Sequence, residues 1–304
     1  MTRIILAVLA ANLLLGSSLL PAAEAATKEA SNQVTLKWVG CGISKKAFMA
    51  ELAAAYEKKT GVKIEIQGGG ATRGIREVAA NTADLGGACR YKIDGEGKET
   101  SAMLEPVAWD ALAVIVHPDN PVNDITFDQI RGLYLGKITN WKQLGGNDAP
   151  IRLLARKGKI SGVGRALRKL VFANYNQEFK ASEFMKSTGP IEVAVVKDVN
   201  AIAVTGISSA RKRNVKNLML DGKEPSYENI RAGDYGLYRP LYLAMNKSGK
   251  NTEEVDKFIK FAHSFEGRTI IRNNGTVPYL DALKLVLKQV EQEERANERG
   301  LYQN

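Results

Sequence analysis

The residues of this 304-residue chain best suited to chemistry are two cysteines, a run of three glycines, and the arginines and hydroxyls around them. Cys41 lies in Gly40-Cys41-Gly42-Ile43-Ser44, and Cys89 lies in Ala88-Cys89-Arg90. Between them runs Gln67-Gly68-Gly69-Gly70-Ala71-Thr72-Arg73. Glycines let a backbone turn sharply and come close to a bound group. Free N–H groups at the start of a following helix carry partial positive charge, which favours an anion, and Arg73 and Arg76 add formal charge nearby. A later segment, Arg156-Lys157-Gly158-Lys159-Ile160-Ser161-Gly162, repeats the pattern. Taken alone, the glycine stretch reads equally well as an ordinary strand-to-helix turn.

The elements around these residues supply a rhythm. Val34 to Val39 alternates as a strand, and a helix follows with Ser44 as its cap, Phe48, Leu52, Ala55 and Tyr56 on one face, and Gly61 as its stop. Val62, Ile64 and Ile66 alternate as a second strand, with a helix opening at Thr72 that turns Ile75 and Val78 inward. A third strand, Ala83 to Ala88, reaches Cys89 and Arg90. Strand, loop and helix in alternation imply a parallel sheet, whose ligands bind beyond the carboxyl ends of its strands. Residues 40–44, 68–74 and 88–90 are three such ends.

Residues 91–105 read as a polar surface excursion, and Ala108 to Val116 as a long apolar strand stopped by His117-Pro118-Asp119-Asn120-Pro121. Short helices are expected near 126–133 and 141–144, then a strand from Ile151 to Ala155 and a helix from Gly164 to Ala173. The second half thus offers its own anion-facing loop, and Tyr235 to Asn246, with Arg239-Pro240, supplies the return crossing. The tail from Asp281 onward is helix-forming and rich in charge, with Leu283 and Leu287 available to pack on the body.

Bulk composition narrows the function. Hydrophobic residues at 44% and charged residues at 25% describe a soluble globular protein. The net charge of +10 suits an acidic partner, but no basic cluster interleaved with aromatics marks nucleic acid. Residues 1–25 read as a cleavable signal peptide: Arg3 first, an apolar stretch from Ile4 to Leu20, then Ala23-Glu24-Ala25. No later run approaches the roughly 18 apolar residues of a membrane span, so a soluble, exported, periplasmic protein is expected. His117 and His263 lack metal-ligand spacing. No serine–histidine–acid or paired-carboxylate arrangement stands out, so an enzyme is not expected. Trp38, Trp109 and Trp141 read as packing residues.

Several stretches together resemble the PstS-like phosphate-binding proteins of ABC importers, within the type II periplasmic binding fold. They are Gln67 to Ile75, Ala83-Asp84-Leu85-Gly86-Gly87-Ala88-Cys89-Arg90, Asp110 to Val122 with its continuation Leu133 to Trp141, Asp221-Gly222-Lys223-Glu224-Pro225, Arg239-Pro240-Leu241-Tyr242 and Gly275-Thr276-Val277-Pro278. The resemblance runs in order from about residue 33 to 280. It implies an α/β protein of two lobes, each a mainly parallel sheet flanked by helices, closing on a tetrahedral oxyanion. One lobe would comprise residues 27–112 plus 240–285 and the other 113–239, with a charged helical tail at 286–304. The ligand-binding residues it implies are Cys41, Gly42, Ser44, Gly70, Ala71, Thr72, Arg73, Cys89, Arg90, Arg156, Ser161 and Gly162, with Arg90 or Arg156 as the arginine on the ion. No cofactor is expected. The expected partners are an inorganic oxyanion, phosphate first, and an ABC permease or membrane sensor kinase, with the protein itself a monomer.

The chain also departs from that family. Cys41 and Cys89 stand where hydroxyls serve in the first and third loops, Ala71 replaces a serine, and Val163 occupies a threonine position. Thiols donate hydrogen bonds weakly, and a hydrogen bond to a charged group contributes about 1.5–3 kcal/mol. Three readings of the cysteine pair stay open: a Cys41–Cys89 disulfide favoured by export, a thiol pair gripping a soft ligand such as an arsenic species, a metal or a haem-like group, or two inert thiols. The second would make the protein a thiol-dependent sensor or binder in place of an oxyanion carrier.

Overall fold

The chain is described here from a computed structural model covering residues 34–298; the leader expected over 1–25, residues 27–33 of the expected first lobe and 299–304 of the tail lie outside these. Eight principal strands form one continuous sheet: β1 (Thr35–Gly40), β2 (Lys63–Gly68), β3 (Leu85–Ala88), β4 (Met103–Val116), β5 (Arg152–Arg156), β6 (Glu183–Met185), β7 (Ala201–Gly206) and β8 (Tyr238–Met245), in the spatial order β2-β1-β3-β8-β4-β7-β5-β6. β1 lies parallel to β2 and β3, with Gly40 opposite both Gly68 and Gly87. The three loop tips therefore emerge side by side at one edge, as the alternation of strand and helix predicts.

β4 ties the sheet together. Its Met103–Ala111 part pairs antiparallel with β8, and Leu112 to Val116 pairs antiparallel with β7. Beyond β7, β5 pairs parallel with both β7 and β6. Each half is thus a parallel set bordered by antiparallel crossing strands. Where the partners change, the Leu112 amide donates to the Leu237 carbonyl at 2.7 Å and the Tyr235 hydroxyl donates to the Leu112 carbonyl at 2.9 Å. Every residue from Val107 to Val116 is buried, which is why this run lacks the polar alternation of a half-exposed strand. Trp38, Trp109 and Trp141 are buried in the core, Trp109 stacked on Tyr279 with ring centroids 4.9 Å apart.

Three local expectations are corrected. Ser44 does not cap the first helix: Cys41 does, its sulfur accepting from the Ser44 amide at 3.3 Å, and the helical run begins at Gly42. Residues 91–105 are not simply a surface excursion, because Glu99, on a single helical turn at Gly97–Glu99, is fully buried. In the tail, Leu283 and Leu287 are 52% and 69% exposed while Leu285 is buried. A short 3₁₀ turn at Tyr279–Ala282 precedes the helix Lys284–Glu298, so the face turned to the body is that of Leu285, beside Gly233, whose carbonyl accepts from Lys288 at 2.9 Å.

Candidate functional site

The loops after β1, β2 and β3 meet the loop after β5. Gly70, at the N-cap of the helix Ala71–Ala79, has φ +87°, a left-handed conformation that glycine adopts at no steric cost. Its turn sets Ala71 and Thr72 at the helix start. From the second half comes Gly162, packed so closely that a Cβ there would lie 2.3 Å from the Cys89 sulfur and 3.3 Å from the Ala71 Cβ. Thr72 donates its hydroxyl hydrogen to the Ile160 carbonyl at 3.2 Å, and Arg90 donates to the same carbonyl at 2.9 Å. Cys41, Ala71, Thr72, Cys89, Arg90 and Gly162, all anticipated from the sequence, are thus assembled where the two halves touch.

The arginines divide sharply. Arg90 spends all five of its N–H donors inside the protein. Two go to Glu99 at 2.6 and 2.8 Å, and the others go to Ile160, Tyr91 and Thr72. Burial works to raise the Glu99 carboxyl, but the Arg90 hydrogen bonds and charge outweigh it and hold that group below the usual carboxylate range. Arg73 lies on the outside, curled onto Glu77 and the Gly68 carbonyl. Neither guanidinium has the placement of a ligand-binding arginine.

Arg156 differs from both. It ends β5, its Nε is buried without a hydrogen-bond partner, and burial pulls its pKa down while the two cysteines pull it up. Ser161 is buried and donates its hydroxyl to the Gly158 carbonyl at 3.3 Å. Its oxygen and the Arg156 Cβ both crowd Gly164, at 2.6 and 3.4 Å from where a Cβ on that glycine would stand. Ser44 is buried and donates to the Ala88 carbonyl at 3.3 Å, whereas Gly42 is exposed at the rim.

Reading the chain as sequence missed two members. Arg239, on β8, donates Nη1 to the Cys89 carbonyl at 3.1 Å, yet its Nε and Nη2 are buried without hydrogen-bond partners. Asp110, on β4, is fully buried; its Oδ2 sits 3.6 Å from Arg239 Nη2, too far for a hydrogen bond, and its Oδ1 accepts from the Ser208 amide at 3.2 Å. Burial raises the Asp110 carboxyl, opposed by Arg239 and by Ser208. The signal was present in the sequence: a charged residue inside an otherwise apolar strand has to find a partner.

Cys41 and Cys89 are both free thiols and both buried, so the disulfide that export favours is not formed here. The Cys41 sulfur lies 3.1 Å from the Ser44 hydroxyl, and the neighbouring Cys41 thiol is the main influence that lowers the Cys89 pKa to about 6. Burial opposes the shift, and the charges of Arg239 and Arg156 assist it. Burial and the neighbouring Cys89 push Cys41 up. Two buried thiols thus share this part of the molecule with two incompletely paired guanidinium groups and one carboxylate. Buried donors without partners are uncommon, and two in one place are what a site for an anion requires. Among the described residues no group of three histidine, cysteine, aspartate or glutamate side chains is placed to hold a metal. His117 accepts from the Asp119 amide, and His263 sits 3.4 Å from Glu105.

Known proteins resemble this chain over most of its length. The phosphate-binding protein PstS of Bacillus subtilis strain 168 is 25% identical over 256 residues, 84% of this chain and 83% of that protein. A phosphate ABC transporter substrate-binding protein from Clostridium perfringens, solved with bound phosphate, superposes with a TM-score of 0.73 at 31% identity, over 80% of this chain and 99% of that one. An ABC-type phosphate transport receptor from Vibrio cholerae gives a TM-score of 0.61 at 28% identity over 80% of this chain and 99% of that one. The profile of the PBP superfamily domain matches residues 25–266, from the end of the expected leader to within the helix that follows His263, and the chain belongs to that family.

Proposed function

We propose that this protein is an exported solute-binding protein that captures an oxyanion, phosphate first, for delivery to an ABC importer. The observation that carries the reading is the set of buried, unpartnered guanidinium donors on Arg239 and Arg156, placed where three loop tips of one half meet Gly162 of the other. Relatives that match most of the chain are named as phosphate-binding proteins, one of them solved with phosphate. Planar guanidinium groups match the oxygen spacing of a tetrahedral oxyanion. Residues 34–112 with 240–285 and residues 113–239 act as the two lobes, hinged where Leu112 meets Leu237, and closure presents a new surface to the membrane partner. The mature protein works as a periplasmic monomer without catalytic chemistry. No helix among the described residues is long and apolar enough to cross a membrane.

In this reading Arg239 and Arg156 hold the ion from below, helped by backbone N–H groups at Ala71, Thr72 and Gly162. Arg90 fixes the walls by holding Thr72 and Ile160. The thiol-dependent sensor is the less favoured alternative, because the relatives matched here are phosphate binders. Calorimetric titration of the purified mature protein with phosphate, sulfate, arsenate, molybdate and arsenite tests the proposal. Micromolar phosphate binding is expected, and absence of binding to every oxyanion would overturn the reading.

A further inference from the structure

We infer that a rim of unpaired lysines steers the anion into this site: Lys45, Lys157 and Lys186 raise its rate of capture through their long-range field and do not hold it once bound. The inference rests on the anion-binding reading above and deepens it. Charge on this molecule is unevenly placed. Six segments leave the parallel strands at the edge where the two halves touch: 40–46 after β1, 68–73 after β2, 88–92 after β3, 156–162 after β5, 185–190 after β6 and 206–213 after β7. Together they hold 12 lysines and arginines and no aspartate or glutamate. The whole chain carries a net +10, so its positive charge sits at this edge and the remainder is slightly acidic.

Most of these cations are already engaged. Arg73 is paired with Glu77, Arg90 with Glu99, Lys159 with Glu178 and Lys212 with Glu51, while the buried Glu192 takes both Lys46 and Arg213. Arg211 and Lys92 donate to backbone carbonyls. Those five carboxylates and Asp110 answer half of the positive charge. Lys45, Lys157 and Lys186 are exposed, and among the described residues no carboxylate pairs with them. Met185 lies opposite Arg156 in the register of β5 and β6, and the Lys157 amide donates to the Met185 carbonyl at 2.9 Å. Lys157 and Lys186 therefore follow on adjacent loop tips, each one residue beyond that pair, and Lys45 follows Ser44 on a tip of the other half. A cleft edged by one sign of charge between low-dielectric walls focuses its field and raises the local concentration of the opposite ion. The ammonium is strongly hydrated, so an exposed lysine attracts an anion without desolvating it. Retention falls to the buried guanidinium nitrogens of Arg239 and Arg156. Capture and retention are thus assigned to different cations.

The test measures association of inorganic phosphate with the mature protein by stopped-flow tryptophan fluorescence, with calorimetric dissociation constants on the same samples. Sodium chloride is varied from 0.01 M to 1 M, which shortens the Debye length from about 30 Å to about 3 Å. The rim variant combines Lys45→Gln, Lys157→Gln and Lys186→Gln. A control variant loses the same charge through Lys58→Gln, Lys197→Gln and Lys250→Gln, three exposed lysines at the opposite edge of the sheet. Support is a wild-type association rate that falls steeply with salt, a rim variant about fivefold slower at 0.01 M and within twofold of wild type at 1 M, and a control close to wild type throughout. A wild-type rate indifferent to salt, a rim variant as fast as wild type at 0.01 M, or a control slowed as much as the rim variant would each overturn the inference and leave phosphate binding standing. If fluorescence gives no signal, the dissociation constants decide by the same comparison, since a weaker field also weakens binding at low salt. Wild-type protein that takes up no phosphate by calorimetry would instead remove the functional reading, and the inference with it.

Discussion

Two buried arginines a short distance apart behave in opposite ways. Arg90 meets Glu99 in a two-pronged ion pair and has all three guanidinium nitrogens bonded, whereas Arg239 has one nitrogen bonded, two nitrogens without partners, and its carboxylate 3.6 Å away. The first arrangement is complete and holds the walls of the site in place. The second is incomplete, and an incomplete buried cation is stable only if something else supplies the missing charge. Fold and function therefore use the same residue type, and what separates them is whether the protein itself closes the hydrogen-bond set.

The comparison can be broken most severely at Glu99. Replacing it by alanine leaves Arg90 buried and uncompensated, and should cost about 3–5 kcal/mol of folding stability, read by urea denaturation. The same pair has a pH signature. Because the Glu99 carboxyl is held below its unfolded value, its stabilisation is complete above the ordinary carboxylate range and is lost as pH falls toward the folded value. A stability profile of the wild-type protein should show that acid loss, and Glu99→Gln should flatten it.

Arg239→Gln should have the opposite profile. Removal of a charge-assisted contact worth about 1.5–3 kcal/mol should weaken phosphate binding on the order of 10- to 150-fold. Folding stability should change by less than about 1 kcal/mol, because the raised Asp110 carboxyl is able to take a proton. A large loss of stability with unchanged affinity would place Arg239 in the same class as Arg90. Gly162→Ala sharpens the contact between the halves: its Cβ would fall 2.3 Å from the Cys89 sulfur. Overpacking there should cost about 1–3 kcal/mol, expressed in calorimetry as weaker anion binding by the closed form. Arg73→Ala should do least. Its exposed ion pair with Glu77 contributes at most about 1 kcal/mol, and both calorimetry and denaturation should register almost nothing.

Much of the site was legible from the chain alone. Gly70, Thr72, Cys41, Cys89 and Gly162 end or begin elements whose order demands a parallel sheet with its loop tips together, and the tips are together. The choice of arginine was not legible. Arg90 and Arg156 looked alike beside their loops, and Arg239-Pro240 was noted only as part of a crossing strand, because sequence records a charge but not its partner. Glu99 sits nine residues after Arg90 in a stretch whose polarity suggests solvent, yet one helical turn folds it back into the interior. The tail failed for a related reason: a 3₁₀ turn of four residues changes the phase of the helix after it, so Leu285 is buried in place of Leu283 and Leu287.

What the sequence determined by itself was periodicity and punctuation: which residues alternate, where glycines stop an element, and hence which loops share an edge. These are local properties, decided within a few residues by backbone sterics and apolar spacing. Tertiary structure alone decided which buried charges are matched, since pairing depends on distances between segments remote in the chain, such as Asp110 with Arg239. A shift of about one ångström there separates a closed hydrogen bond from an open donor, and no local pattern encodes a difference that small.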